Sequence, residues 1–295
     1  MSLNLMVTSP SGAYLSGDFR LTSNVGHVDD LNTQKMVPIV RLGWSALVSF
    51  AGIGRTSIGL DVGEWLAGEL GAIGLDESIV ELEQRLSSAD SWLCGMGSSR
   101  HHIFSVVGFE GSRPFAMVVS NFLDANGQRK PSVGSLSSNI FYPNRPQVFV
   151  RGWESAVLPS EATGLEQAIH AGNSARDIEK TLASININAA GRSSKISPEC
   201  VTGHLLPDGT GEVTPHGIPD TVEYMPGFVK RGFLSQGVKG FLCRTNANGN
   251  PMPPRWVGMT WTIRNDAMLI MYVVRNVIEP RAEDMNSSQY WKIII

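Results

Sequence analysis

Read from its N-terminus, the chain switches twice from two-residue apolar spacing to three-and-four spacing and back, and this order of elements says more about architecture than any single motif. The opening MSLNLMVTSPSGAYLSGDFRLTS alternates from Leu3, breaks at Pro10-Ser11-Gly12 and resumes over 13–17, predicting a β-hairpin with almost no lead-in. QKMVPIVRL and SALVSFAG flank Gly43-Trp44 as a second hairpin, so four strands are expected before any helix. From Ser57, SIGLDVGEWLAGEL and then DESIVELEQRLSSA carry helical spacing, with Asp76 the expected N-cap of the second. HHIFSVVGFE and RPFAMVVSNF return to strands around Gly111-Ser112, and QVFVRG follows a Gly-, Ser- and Asn-rich loop over 125–144. Two more helices are expected over 161–171 and 174–190, the second capped by Asn173. PECVTGHLL and GEVTPH, turning at Pro207-Asp208-Gly209, close the series.

Strands, two helices, strands, two helices, strands is not the alternation of a doubly wound parallel sheet. It predicts an α+β chain in which two mainly antiparallel sheets pack face to face and a helix pair covers each outer side, a four-layer αββα sandwich. A length of 295 residues with 42% hydrophobic content supplies the necessary core. Beyond residue 216 the composition turns to Gly, Pro and Asn before WVGMTWTIRNDAMLIMYVVRNV, a hairpin signal around Asn265-Asp266. The chain is therefore divided into 1–216 and a β-rich C-terminal extension, 217–295. Its closing YWKIII is too apolar for water and is expected to dock on its own domain or on a neighbour.

Charge and cysteine content remove several function classes. A net charge of −3 with scattered Lys and Arg offers no basic stripe for nucleic acid. Cys94, Cys200 and Cys243 have neither metal-type nor disulfide-type spacing and read as buried thiols in a reducing compartment. The apolar runs at 46–51 and 268–274 are strand-sized, well under the roughly 20 residues of a membrane helix. Ser9, Pro10, Ser11 and Asp18 interrupt any signal peptide, so a cytoplasmic protein is expected, away from membranes. His101 and His102 begin a strand and point to opposite faces, one to solvent and one to the core, while His204 and His216 lack a ligand pattern; no metal and no cofactor is expected. GIGRTSIG precedes a helix but fits neither the P-loop nor the dinucleotide fingerprint.

Singly, Asp18 and Arg20 read as a solvated strand-end pair, Lys35 as an edge-strand charge and Gly52 as a strand-to-helix turn. In series with LSGDFRLT, TQKMVPI and ALVSFAGIGRT they resemble the proteasome β-subunits and bacterial proteasome-like proteases of the N-terminal nucleophile hydrolases. The likeness covers roughly 2–216 and is most specific in the first 60 residues. It implies Ser2 as nucleophile once Met1 is removed, Asp18, Arg20 and Lys35 as its supporting set, and Gly52 as an oxyanion donor. It also implies cleavage of amide bonds in a peptide or small amide substrate by a homo-oligomer whose unfoldase partner, if it has one, is unspecified. The alternative is a catalytically silent proteasome-like subunit with an assembly or binding role.

The chemistry of that set is coherent. A serine hydroxyl needs a base, and an α-amine of pKa about 7.7–8.0 on the same residue is suited to the task. Lys35 would lower the proton affinity of both groups, and Asp18 would hold the lysine. A three-residue loop over 10–12 sets Ser2 opposite Arg20, with Asp18 on the same face. Two stretches depart from the family. AAGRSSKISPEC supplies Ser197 for its second serine but no aspartate over 192–194, and VRGWESA puts Gly152, Trp153 and Ser155 where the family has Gly-Ser, so that an indole is expected to alter or fill the site.

Overall fold

A computed structural model describes residues 2–23, 26–29, 35–55, 59, 62–74, 76–93, 100–124, 126–217, 228–230, 233–235, 257–264 and 267–274. The opening alternation forms β1 (Leu3–Ser9) and β2 (Gly12–Asp18), joined by Pro10 and Ser11 alone, since Ser9 pairs with Gly12 and Asn4 with Gly17. The Ser9 hydroxyl closes the turn by accepting from the Gly12 N–H at 3.1 Å and lying 2.9 Å from the Gly12 carbonyl. The expected three-residue loop is thus corrected to two. Continuing the observed pairing sets Phe19, not Arg20, opposite Ser2.

Among the described residues six strands precede the first helix rather than four. β3 (Arg20–Ser23) and β4 (Gly26–Asp29) form a small ribbon, and β5 (Met36–Val40) and β6 (Trp44–Gly52) follow as the anticipated second hairpin. The first helical stretch is α1 (Val62–Gly71), then α2 (Ile79–Ser87) and the short α3 (Asp90–Leu93). The N-cap of α2 is Ser78 rather than Asp76. Arg41 caps the end of α1, donating from Nη2 to the Leu70 and Ile73 carbonyls at 3.0 and 2.6 Å.

Strands resume as β7 (His102–Glu110), β8 (Arg113–Ser120), β9 (Ser137–Phe141) and β10 (Gln147–Gly152). The Gly-, Ser- and Asn-rich stretch read as loop therefore contains β9, an edge strand. Helices α4 (Pro159–His170) and α5 (Ala175–Arg192) come next, and the cap of α5 is Ser174, whose hydroxyl accepts from the Asp177 N–H, not Asn173. The remaining strands are β11 (Cys200–Leu205), β12 (Gly211–His216), β13 (Phe228–Lys230), β14 (Phe233–Ser235), β15 (Val257–Arg264) and β16 (Ala267–Val274).

These elements make two seven-stranded sheets. One runs β10-β1-β2-β11-β12-β15-β16 with every pair antiparallel, and the other runs β14-β13-β5-β6-β7-β8-β9, antiparallel except where β13 meets β5. Strand alternation sorts the side chains. Met6, Leu15 and Val201 of the first sheet cluster with Met36, Leu47 and Val107 of the second. Leu3, Leu5 and Val7 turn the other way and pack with Leu165 of α4 and Leu182 and Ile185 of α5. Val37, Val48 and Phe50 pack with Leu66 and Leu70 of α1 and Leu82 of α2. Each such side chain contributes about 1.5–3 kcal/mol on burial. The result is a mixed α/β chain built on two mainly antiparallel sheets.

In the 217–295 region, β15 and β16 pair around Arg264 and Ala267, and β15 lengthens the first sheet by pairing with β12. The turn residues Asn265-Asp266, the closing YWKIII, Cys94, Cys243 and residues 56–58 of GIGRTSIG lie outside the described residues. Among the described residues no helix is long and apolar enough to cross a membrane.

Candidate active site

Ser2 enters β1 at the end where both sheets meet the connection from α5 to β11. It is fully buried, and like Met6 it has the even-numbered parity that points between the sheets. The Ser2 hydroxyl donates to the Arg20 carbonyl and accepts from Lys35 Nζ at 3.1 Å. Lys35 stands just before β5 and is also fully buried, its ammonium 4.2 Å from the centre of the Phe50 ring. It is no edge charge.

Asp18 is equally inaccessible, which corrects its reading as half of a solvated pair. One carboxylate oxygen accepts the Leu3 N–H; the other accepts the N–H of Arg20 at 2.7 Å and of Ser197 at 3.3 Å. Burial raises its pKa to about 6, while Lys35 and these three N–H groups act in the opposite sense. Arg20 donates from Nη1 to the Ser194 carbonyl at 2.8 Å, tying β3 to the segment after α5. Across the β2–β11 ladder Cys200 faces Asp18, and burial, reinforced by Asp18 and Glu199, keeps its thiol protonated.

Two glycines shape the rim. Gly52 ends β6 at φ +109°, where an added Cβ would lie 2.1 Å from the His101 carbonyl oxygen. Gly152 ends β10 at φ +92°, where a Cβ would meet the Ser2 carbonyl oxygen at the same distance. Only a residue without a side chain allows β10 to close on Ser2 in this way. The structure thus brings Ser2, Asp18, Lys35 and the Arg20 backbone together, whereas the close contact at Gly52 is with His101.

Trp153 donates its backbone N–H to the Ser2 carbonyl at 3.1 Å, but its side chain packs with the Leu3, Leu5 and Leu165 cluster. The expected filling of the site by an indole is corrected accordingly. Ser155 is exposed in a single 3-10 turn, Glu154–Ala156, away from these contacts. Ser197 does reach the site, through its backbone. Its hydroxyl lies 2.9 Å from the Glu199 carbonyl and 3.0 Å from Glu199 Oε2, a carboxylate two residues downstream of the serine and not upstream of it. Glu199 also accepts the Phe19 N–H on its carbonyl. Because Asp18 uses the Ser197 N–H rather than its hydroxyl, Ser197→Ala is expected to lower stability by only about 1 kcal/mol, measured by urea unfolding, and to leave the reactivity of Ser2 unchanged.

His102 is in the core and His101 half-exposed against Phe122, ring centres 4.7 Å apart. His204 Nδ1 lies 3.2 Å from Glu179 Oε1, and His216 Nε2 lies 2.8 Å from the Thr202 hydroxyl. Sequence spacing gave no sign of the first pairing, because its partners are 25 residues apart. Among the described residues no group of three or more His, Cys, Asp and Glu side chains is arranged to hold a metal ion.

No family model and no curated protein matches the chain. Among solved structures it is similar to Anbu (ancestral beta-subunit) from Yersinia bercovieri, at 9% identity and a TM-score of 0.43, over 67% of this chain and 80% of that one. What this chain does is therefore read from its own side chains.

Proposed function

We propose that the chain is a four-layer αββα N-terminal nucleophile hydrolase of the proteasome-like kind, cleaving amide bonds through Ser2 after removal of Met1. The carrying observation is the contact of a fully buried Lys35 with the Ser2 hydroxyl at 3.1 Å. A lysine is removed from water at high cost unless its charge has a use or a partner, and here Asp18 supplies the countercharge and Ser2 the use. The three apolar clusters, one between the sheets and one beneath each helix pair, support the layered reading.

In this mechanism Ser2 Oγ forms a bond to the substrate carbonyl carbon as its proton passes to the Ser2 α-amine. The resulting oxyanion is met by the Gly52 N–H, and collapse breaks the C–N bond, the departing amine leaving with the proton. Water, deprotonated by the same α-amine, then cleaves the ester and restores the hydroxyl. Lys35 favours the alkoxide throughout by its charge. A peptide or small amide is the substrate class, and an assembly of identical copies follows from the sequence resemblance.

The second reading is a catalytically silent proteasome-like subunit that assembles or binds. It is favoured by the complete burial of Ser2 and by Ser194, which offers Arg20 a carbonyl where the family has an aspartate. Intact mass and a peptide β-lactone separate the two. The hydrolase should lack Met1 and form an ester at Ser2, and Ser2→Ala should remove the adduct. Retention of Met1, or equal labelling of Ser2→Ala, leaves the silent subunit.

A further inference from the structure

Lys35 has an aromatic neighbour that the proposed reaction leaves unused. While its ammonium donates to Ser2, Nζ also lies 4.2 Å from the centre of the Phe50 ring, and both side chains are fully buried. The face of a benzene ring is electron-rich and attracts a cation, most strongly where water is absent. Phe50 is in turn held by aromatic packing. The His102 ring stacks with it at 5.9 Å and 21° between planes, and His102 is set edge-on against Phe104 at 4.5 Å and 72°. Burial first, and the charge of Lys35 second, lower the pKa of His102 to about 3. The imidazole therefore stacks as a neutral ring and brings no second cation toward the ammonium.

We propose that Phe50 is a positioning residue whose ring face holds the Lys35 ammonium against the Ser2 hydroxyl, with the His102–Phe104 pair fixing the plane of that ring. The point of β6 that turns toward the helices thereby acts on chemistry at the start of β1. The hydrogen bond to Ser2 fixes one direction at Nζ, and the ring fixes another. The consequence for catalysis rests on the hydrolase reading, whereas the contact itself does not.

The test replaces Phe50 in the full-length protein with 4-fluoro-, 3,5-difluoro- and 3,4,5-trifluorophenylalanine, which keep its shape and progressively weaken the ring face. The titration of Lys35 is followed through its 13Cε resonance, assigned from the signal lost in Lys35→Arg. Among the described residues Asp18 from β2 and His102 from β7 are the titratable groups coupled to it, joined by the Ser2 α-amine if Met1 is removed. The Lys35 midpoint is expected to fall stepwise along the series, by roughly one pH unit in total. The pH profile of β-lactone capture at Ser2 should move in the same sense. Phe50→Tyr, which keeps the ring, should behave like the native protein in both readouts, and Phe50→Leu should follow the trifluoro variant. An unmoved midpoint across the fluorinated series overturns the proposal even if Ser2 is captured normally. A midpoint that moves in a protein whose Ser2 is never captured upholds the role of Phe50 and removes the hydrolase reading instead.

Discussion

Lys35→Met is expected to slow covalent capture at Ser2 by roughly 10²–10⁴-fold, the range associated with loss of a positioned proton-handling group. Methionine preserves most of the buried stem, so the change falls mainly on the ammonium that contacts the Ser2 hydroxyl. Stability should fall as well. Asp18 is buried and loses the lysine charge that favours its ionised form, so its pKa rises from about 6 and it takes up a proton at neutral pH, at a cost of about 1.4 kcal/mol. Urea unfolding and β-lactone capture on the same preparation measure the two effects. Capture at native rate by a folded Lys35→Met protein removes Lys35 from the mechanism.

Asp18 governs the second large effect, and its sign is the reverse of the usual carboxylate. Burial raises its pKa from 3.8 to about 6 in the folded chain, so between those values the folded state holds the proton more tightly than the unfolded one. The stabilisation is fully present below about pH 4 and is lost as pH rises through about 6. At about 1.4 kcal/mol per unit the total is about 3 kcal/mol. The stability of the native protein relative to Asp18→Asn should therefore decline by about that amount from pH 4 to pH 7, when both are unfolded in urea at matched ionic strength. Acidic groups such as Glu161, whose burial raises its pKa but is outweighed by Arg192 and its other hydrogen bonds so that the net shift is downward, lose stabilising power on acidification, but they are common to both proteins and cancel. A difference that stays flat, or grows with pH, contradicts the assigned environment of Asp18. Ionisation of the same group completes the charge pattern at Lys35, so capture at Ser2 should show an acid limb near pH 6.

Much of this architecture was legible because apolar period is a strong signal wherever one face is buried. The β1–β2 hairpin, the β7–β8 pair and the two helix pairs all announce themselves in that way. Failures occurred where a polar segment is structured by its neighbours. β9, Ser-Ser-Asn-Ile-Phe, carries a loop composition, yet it is half-buried on the edge of the second sheet with Ser138 bonded to Glu83. Caps were misplaced by one or two residues because several polar residues adjoin each helix and packing of the first buried turn chooses among them, as Ile79 does for α2. The turn after β1 was misjudged because the Ser9 hydroxyl, unforeseen from composition, closes it one residue early.

The candidate site divides along the same line. Ser2, Asp18 and Lys35 were readable as a spaced set, and their contacts are made across strands whose direction the sequence also suggested. Glu199 was not legible because the resemblance implies an acid on the helical side of Ser197, whereas the chain turns into β11 and presents its carboxylate from the other side. Gly152 is legible as a residue type, but its close approach to the Ser2 carbonyl depends on β10 lying beside β1, a pairing of strands about 150 residues apart.

That separation has a consequence in time. Ser2 is sealed by the Trp153 N–H at its carbonyl, and Asp18 is completed by the N–H of Ser197. On a ribosome adding about 5–20 residues per second, the last of these partners is synthesised roughly ten to forty seconds after Ser2 itself. Through that interval the N-terminal strand lacks the elements that bury it. Under the hydrolase reading, an aminopeptidase acting during synthesis would meet Met1 on an open chain, before the fold has buried Ser2.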